Sequence, residues 1–326
     1  MPQPKVSFAM ICYQQESYVR EAILAAFAQE YEPLEIILSD DCSTDSTFSI
    51  IEEESVKYSG PHKVITNRNS TNLGIEHLNK VMSLASGDFV IIAHGDDVSL
   101  PNRTSRMVET WIDKKVSLVS SNAIIVDSKS QPLGKLSKED TDREVPLKKV
   151  IYITWDNTRL GATFGWDRNV FSQFDAIDGK RITGADDHIL PFRAALLEGI
   201  YYLEEPLIQW RKHENNGTDR VADKTGSELM FSETSIAYDV GALIYMAEEF
   251  AQFRKGQNDS KQMGLINRDL ETAIMELTLR WTRCRVSLDL AGFSPTWIDK
   301  QEREKKELNE SLRVQPDVPL GKPKIS

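Results

Sequence analysis

The chain has 326 residues, 40% of them hydrophobic and 27% charged, which is enough apolar material for one large domain with an appendage or for two domains. Its formal net charge of −11 argues against a nucleic-acid binder and a polybasic membrane-surface protein, although a divalent cation can reverse the local sign for a phosphate-bearing small ligand. Cys12, Cys42 and Cys284 lack metal-like spacing and fit a reducing compartment, Met1 to Lys5 lacks signal-peptide character, and no apolar run reaches the roughly 18 residues of a transmembrane segment.

Val6 to Ile11 is a nearly continuous apolar run, as in a strand buried on both faces. Val19, Ala22, Ile23, Ala26 and Phe27 then recur at helical spacing. Ile36 to Leu38 reads as a second strand, ending at the polar stretch Ser39 to Asp45, which can cap a helix through Ile50 and Ile51. Val64 to Thr66 is a short third strand. Gly74 precedes a helix through Leu78, Val81, Met82 and Leu84, and Phe89 to Ala93 is a fourth strand ending at His94-Gly95-Asp96-Asp97. Strands alternating with amphipathic helices imply a parallel α/β sheet.

The second half is less regular. Ser117 to Asp127 suggests one or two strands and Gln131 to Leu147 a charged loop. Gly161 to Trp166 and Tyr201 to Trp210 look strand-like, with a helix from about Asp187 to Glu198 between them, and a long helical stretch runs from about Gly226 to Leu290. The division expected is residues 1–222 as the α/β domain, 223–310 as a helical extension and 311–326 as a disordered tail. Leu243, Ile244, Met246 and Ala247, with Ile274, Leu277 and Trp281, form an apolar face suited to the catalytic domain or to a second subunit in a homodimer.

Ligands of such sheets bind beyond the carboxyl ends of the strands, here Tyr13, Asp40/Asp41, Asn67 and Asp96/Asp97. Adjacent carboxylates at a strand end suit a hard cation bridging phosphate oxygens; a turn capping the next helix is the plainer reading of Asp96 and Asp97. Asp41 could accept from a base or a ribose, or Asp40 and Asp41 could cap a helix. Asp186 and Asp187 open a helix, where a carboxylate stays ionised and could serve as a general base or simply as a cap. His213 could ligate a metal or be an ordinary surface histidine, and Arg211 and Lys212 could meet phosphates.

In this order the motifs resemble the family 2 inverting glycosyltransferases. Cys12-Tyr13-Gln14 is similar to that family's Thr-Tyr-Asn, and Ala26 to Tyr31 to its Leu-x-Gln-x-Tyr segment. Leu34 to Asp45 resembles its Glu-Ile-Ile-Val-Val-Asp-Asp-Gly-Ser-Thr-Asp signature. Asn72-Leu73-Gly74, Asn79 and Ala85 to Asp88 resemble its Asn-x-Gly, Asn and Ala-x-Gly-Asp run. His94 to Asp97 resembles its Asp-x-Asp-Asp loop, Gly184 to Asp187 its Gly-x-Glu-Asp motif, and Arg211 to Asn216 its Arg-x-His-x-x-Asn loop. His94, Cys42 and Asp186 depart from it, standing where it has an acid, a glycine and a glutamate.

The resemblance implies a GT-A fold: a Rossmann-like, mostly parallel sheet flanked by helices, here with a helical C-terminal extension. It implies transfer of a sugar, with inversion, from a nucleotide-sugar (a UDP-sugar first) to a glycan or lipid-linked acceptor, using Mn²⁺ or Mg²⁺. Tyr13, Asp41, Asn67 and Asp96 would bind the nucleotide. Asp97, Asp96 and His213 would hold the metal, and Asp187, beside Asp186, would be the base. A cytoplasmic protein, peripheral to the inner membrane, fits this activity. Two rivals stand beside it. A sugar nucleotidyltransferase would want a glycine-rich basic loop after the first strand, which Tyr13-Gln14-Gln15-Glu16 does not supply. A non-catalytic scaffold would act through the helical C-terminus.

Overall fold

The computed structural model describes residues 2–138, 140–152, 160–182, 186–213, 228–256 and 260–290, so the expected tail and the Gly184-Ala185 part of the acceptor-side motif lie outside the described residues. Strand β1 (Val6–Cys12) leads to α1 (Val19–Phe27), β2 (Leu34–Asp40), α2 (Thr47–Lys57), β3 (Lys63–Arg68), α3 (His77–Leu84) and β4 (Phe89–His94). There follow β5 (Val98–Ser99), α4 (Arg103–Lys114), β6 (Leu118–Val126), β7 (Pro132–Lys135), β8 (Arg143–Glu144) and α5 (Leu147–Ile151). Then come β9 (Gly165–Asp167), α6 (Asn169–Ser172), α7 (Asp186–Leu196), β10 (Ile200–Arg211), α8 (Glu228–Phe253) and α9 (Ser260–Leu290).

The strands form one sheet in the order β3-β2-β1-β4-β9-β6-β10-β5, with β7 on β6 and β8 on β10. The long ladders, β1 with β2 and β4, β2 with β3 and β6 with β10, are parallel. Apolar runs in β1, β2 and β4 follow from coverage on both faces, because alternate residues serve alternate cores. Ala9, Ile37, Val90 and Ile92 face a core completed by α3, α7, α8 and α9. Phe8, Met10, Ile36, Leu38, Phe89 and Ile91 face the other, completed by α1, α2 and α4. Leu243 and Met246 are buried in the first core, with Ala247, Ile274 and Leu277 packed against it, so the apolar face of the C-terminal helices is used within the chain.

The second half departs from the pattern in instructive ways. Ser117 to Asp127 makes a single strand, β6, whose polar centre is accommodated because the Asn122 side chain pairs with both the backbone N–H and the carbonyl of Ser137. The expected loop from Gln131 to Leu147 contains two short strands, formed by pairing onto β6 and β10 rather than by any apolar pattern of their own. Gly161–Thr163 is a 3₁₀ turn and only Gly165–Asp167 is strand. That strand runs antiparallel between β4 and β6, and a Cβ at Gly165 would lie 2.7 Å from the Phe89 ring.

Candidate active site

Parallel pairing places the carboxyl ends of four strands side by side. Cys12 is in register with Asp40, Ile11 with His94 and Asp40 with Arg68. The order β3-β2-β1-β4 reverses direction between β1 and β4, and a crevice opens at such a switch point. Tyr13 follows β1 and the Gly95-Asp96-Asp97 loop follows β4, so both border that crevice. The carboxyl end of β10 lies on the same edge, since β9 is antiparallel to both β4 and β6 and β10 is parallel to β6.

At this edge His94, Asp96 and Asp97 each offer one ligand atom within 4.8 Å of the others. Asp97 is 6% exposed. Its Oδ1 accepts the Arg211 backbone N–H at 2.9 Å, while its buried Oδ2 has no hydrogen-bond partner and lies 3.9 Å from His94 Nδ1. Burial and the neighbouring Asp96 charge push the Asp97 carboxyl well above the usual carboxylate range, against the pull of Arg211 and Arg103. Burial would raise Asp96 too, but a hydrogen bond from His213, 3.0 Å away, and the charges of His94 and His213 hold it below its ordinary value. An orphaned carboxylate oxygen facing a second carboxylate and an imidazole fits a divalent cation with nitrogen and oxygen ligands. His213 reaches this group through Asp96, whose carboxylate it orients.

Arg211 is turned inward and is not presented to a phosphate, unlike the exposed Lys212. Its Nε donates to the Asp96 carbonyl, its Nη2 to Glu21 Oε2 at 2.6 Å and its Nη1 to Ser130 Oγ at 2.8 Å. The guanidinium lies 4.9 Å from the centre of the Tyr18 ring, and that ring lies 4.7 Å from the His213 ring. One buried side chain thus ties the acidic loop to α1 and to the turn after β6. Gly95 is required by crowding: a Cβ there would lie 2.5 Å from Gln15 Oε1 and 2.8 Å from Cys12 Sγ. The Cys12 thiol is pushed well up by burial and by Asp40 and Asp96, so it packs rather than reacts.

The ends of β2 and β3 carry a second polar group. Asp41 accepts from Asn69 Nδ2 at 2.8 Å and from the backbone N–H groups of Leu73 and Gly74, both at 2.9 Å. Asn67 donates to Ser39 Oγ and to Asn69 Oδ1, and Ser39 Oγ lies 2.7 Å from His77 Nε2. Asp41 therefore shapes the 69–74 loop with its carboxylate, and Asp45 caps locally by accepting the Thr47 N–H at 2.9 Å.

Asp186 and Asp187 begin α7; the Asp186 side chain lies outside the described residues and Asp187 is half-buried. A short turn through Gly199 joins the far end of α7 to the start of β10, whose other end lies on the edge that carries the acidic loop. Of the sequence expectations, Tyr13, Asp41, Asn67, Asp96, Asp97 and His213 are thus brought to one edge, and Asp186 and Asp187 open α7. Three participants were not anticipated: His94 as a third ligand, Tyr18 as a stacking platform and Arg211 as a buried tie. Of these only His94 had a signal in sequence, its place two and three residues before Asp96 and Asp97 at a strand end.

A family model described as "Glycosyl transferase family 2" matches residues 7–178. An uncharacterized glycosyltransferase from Nostoc sp. is 26% identical over 234 residues, covering 71% of this chain and 72% of that protein. Bacillus subtilis EpsE, described as a glycosyltransferase, is 38% identical over 105 residues, which is 32% of this chain and 37% of EpsE, so the match spans little more than a third of that relative. Among solved structures, S. aureus TarS 1-349 in complex with UDP-GlcNAc superposes with a TM-score of 0.59 at 18% identity, covering 82% of this chain and 72% of that one.

Proposed function

Because the chain belongs to glycosyl transferase family 2, we propose that it moves a sugar from a nucleotide-sugar to a hydroxyl of a glycan or lipid-linked glycan, with inversion at the anomeric carbon. The observation that carries this reading is the orphaned, buried Oδ2 of Asp97 beside Asp96 and His94 at the sheet's switch point. Asp96, Asp97 and His94, with His213 behind Asp96, would hold Mn²⁺ or Mg²⁺. When bound, the ion supplies charge stabilisation for the departing diphosphate. Tyr13, Asp41 and Asn67 build the base and ribose side of the crevice, and Asp96 serves ribose or metal. Asp187 takes the acceptor proton as the new bond forms on the face opposite the leaving group, so no acid is needed to protonate the diphosphate. The shared fold of TarS, which holds UDP-GlcNAc, makes a UDP-sugar the first donor to try.

Among the described residues no helix is long and apolar enough to cross a membrane. A cytoplasmic enzyme working at the inner face of the membrane fits a lipid-linked acceptor. Leu265, Met275 and Leu279 of α9 are exposed and are the surface through which a homodimer would form.

The deciding experiment is a thermal-shift panel of UDP-, GDP-, dTDP- and CMP-sugars with and without Mn²⁺. A shift selective for one base and dependent on the ion supports the reading. No shift with any donor would overturn it in favour of a non-catalytic scaffold. Asp187→Asn should keep that shift and lose turnover; normal turnover removes Asp187 from the role of base.

A further inference from the structure

Helix α8 directs an unusual set of polar side chains at one short stretch of chain. Tyr245 Oη accepts the Asp178 backbone N–H at 3.1 Å. Glu249, 9% exposed, takes the Arg193 Nε–H on both of its oxygens at 3.1 Å and also pairs with Arg193 Nη2. Arg193 is fully buried, donates a further bond to the Asp175 carbonyl at 2.8 Å and lies over the rings of Phe171 and Phe174. Glu248 pairs with Arg181, and Asp239 Oδ1 lies 3.6 Å from His188 Nε2. All four partners flank the segment that carries Asp186 and Asp187.

The stretch leading to that segment is held from α3 and from the turn just before it. Asn79 donates to the Ile177 carbonyl at 2.7 Å and accepts the Ile177 N–H at 2.9 Å, and Glu76 Oε1 accepts the Gly179 N–H at 2.9 Å. Glu76 and Asn79 follow the 73–74 turn that Asp41 shapes, so the segment sits between the nucleotide side of the crevice and α8. Within α7 itself, Pro191 has no N–H to offer the carbonyl four residues earlier, that of Asp187. The helix therefore gives up one of the bonds that would fix its own first turn. A buried Arg–Glu pair is expensive to bury and is weak support for stability alone, which points to a positional role.

We propose that α8 is a clamp that sets the position of the first turn of α7, with Glu249, acting through Arg193, and Tyr245, acting through the Asp178 N–H, as positioning residues for the base. The proposal rests on the reading of Asp187 as that base. The polar contacts of Tyr245, Glu248 and Glu249 fall on Asp178, Arg181 and Arg193, not on the acidic loop or on the nucleotide side. Loss of these contacts should lower turnover without changing donor binding.

The test uses the full chain, the donor selected by the thermal-shift panel, and its slow hydrolysis with water as acceptor. Turnover is counted per nucleotide-binding site from the calorimetric stoichiometry of UDP and Mn²⁺, or of the selected nucleoside diphosphate, so that unfolded molecules do not contribute. Glu249→Gln should lower kcat per site by about tenfold or more and Tyr245→Phe by about threefold, both with donor KM within about twofold of the parent, because a displacement near 1 Å is costly to a proton transfer. Amide exchange over residues 175–196 should quicken in both variants while β1 and β4 stay protected. If Glu249→Gln does not fold, Tyr245→Phe, which removes one oxygen, decides alone. Unchanged kcat per site, or a fall matched by an equal loss of donor affinity, overturns the clamp. Asp187→Asn run in parallel separates the failures. If it is inactive while the clamp variants are normal, only the clamp falls; if it is active, the base assignment falls, and the clamp as a device for positioning that base falls with it.

Discussion

Replacing Asp97 by asparagine should make the ligand-free protein as stable as the parent or slightly more so, while removing its response to metal. The reasoning starts from the cluster's geometry, in which the Asp96 and Asp97 oxygens lie within 4.8 Å of each other and Asp97 Oδ2 has no hydrogen-bond partner. When both are ionised, two unit charges at that separation repel by about 3 kcal/mol at an effective dielectric near 20, and the raised proton affinity of Asp97 relieves part of this in the parent. Asparagine relieves this while its amide oxygen still accepts the Arg211 N–H. It forfeits part of the attraction to Arg211 and Arg103, so a net gain of about 0–1 kcal/mol remains, a rise of at most roughly 2 °C in Tm for a chain of this size. In the parent, nucleotide and Mn²⁺ at about 100 times Kd should add about 2.7 kcal/mol, several degrees, and most of that should vanish in the variant. Differential scanning fluorimetry with and without Mn²⁺ and nucleotide reads both quantities. A ligand-free Tm lowered by more than about 4 °C, or a ligand shift equal to the parent's, would refute the assignment of Asp97 as a ligand poised by repulsion.

Three further predictions follow from packing and charge. Gly95→Ala should cost about 1–3 kcal/mol and weaken nucleotide binding, because its Cβ meets Cys12 Sγ at 2.8 Å; Cys12→Ala in the same chain should recover part of both losses, and a strictly additive pair in a denaturation cycle would show that the crowding is elsewhere. Burial would raise Glu35, but hydrogen bonds from Lys5, Ser7 and Ser86 outweigh it and hold the carboxyl at about 2. Its contribution is therefore complete above its ordinary value near 4.5 and is lost as pH falls towards 2. Glu35→Gln should cost about 2 kcal/mol at pH 7, with the difference from the parent shrinking as urea denaturation is repeated below pH 4.5. Tyr18→Leu should leave the fold intact yet reduce metal-dependent nucleotide affinity, because the ring that packs against both Arg211 and His213 is gone; unchanged affinity by calorimetry would mean that His213 needs no such platform.

The parts of the fold visible in sequence are those whose cause is local. β1, β2 and β4 announce themselves because burial on both faces demands apolar residues throughout. β7, β8 and β9 do not, because each exists only by pairing with another strand, β8 and β9 with strands far away in the chain and β7 with the adjoining β6, and nothing in Pro132–Lys135 or Arg143–Glu144 requires extension by itself. Ser86-Gly87-Asp88 is legible as a motif but not as a mechanism. In space, Gly87 is needed because a Cβ would lie 2.5 Å from the Ser7 nitrogen, and the Asp88 carboxylate accepts the Lys5 N–H. The same holds at the site. Asp96 and Asp97 are adjacent in sequence and form a visible pair, whereas His94 stands in an acid's place along the chain and shares their cluster only in space. Arg211 is suited by sequence to a phosphate, because the partners that draw it inward, Glu21 and Ser130, are 190 and 81 residues away.

The order of elements along the chain has a consequence for inheritance. Most of the proposed donor side, from Tyr13 through Asp97, is one unbroken stretch carried by β1 to β4, completed by Arg211 and His213 at the end of β10, whereas the first turn of α7 and its supports on α8 come from residues 175–249. On the proposed reading, drift in the later stretch would recast what receives the sugar while most of the edge assigned to the donor stays as it was. Lineages built on this scaffold are free to diverge in product while keeping a common currency.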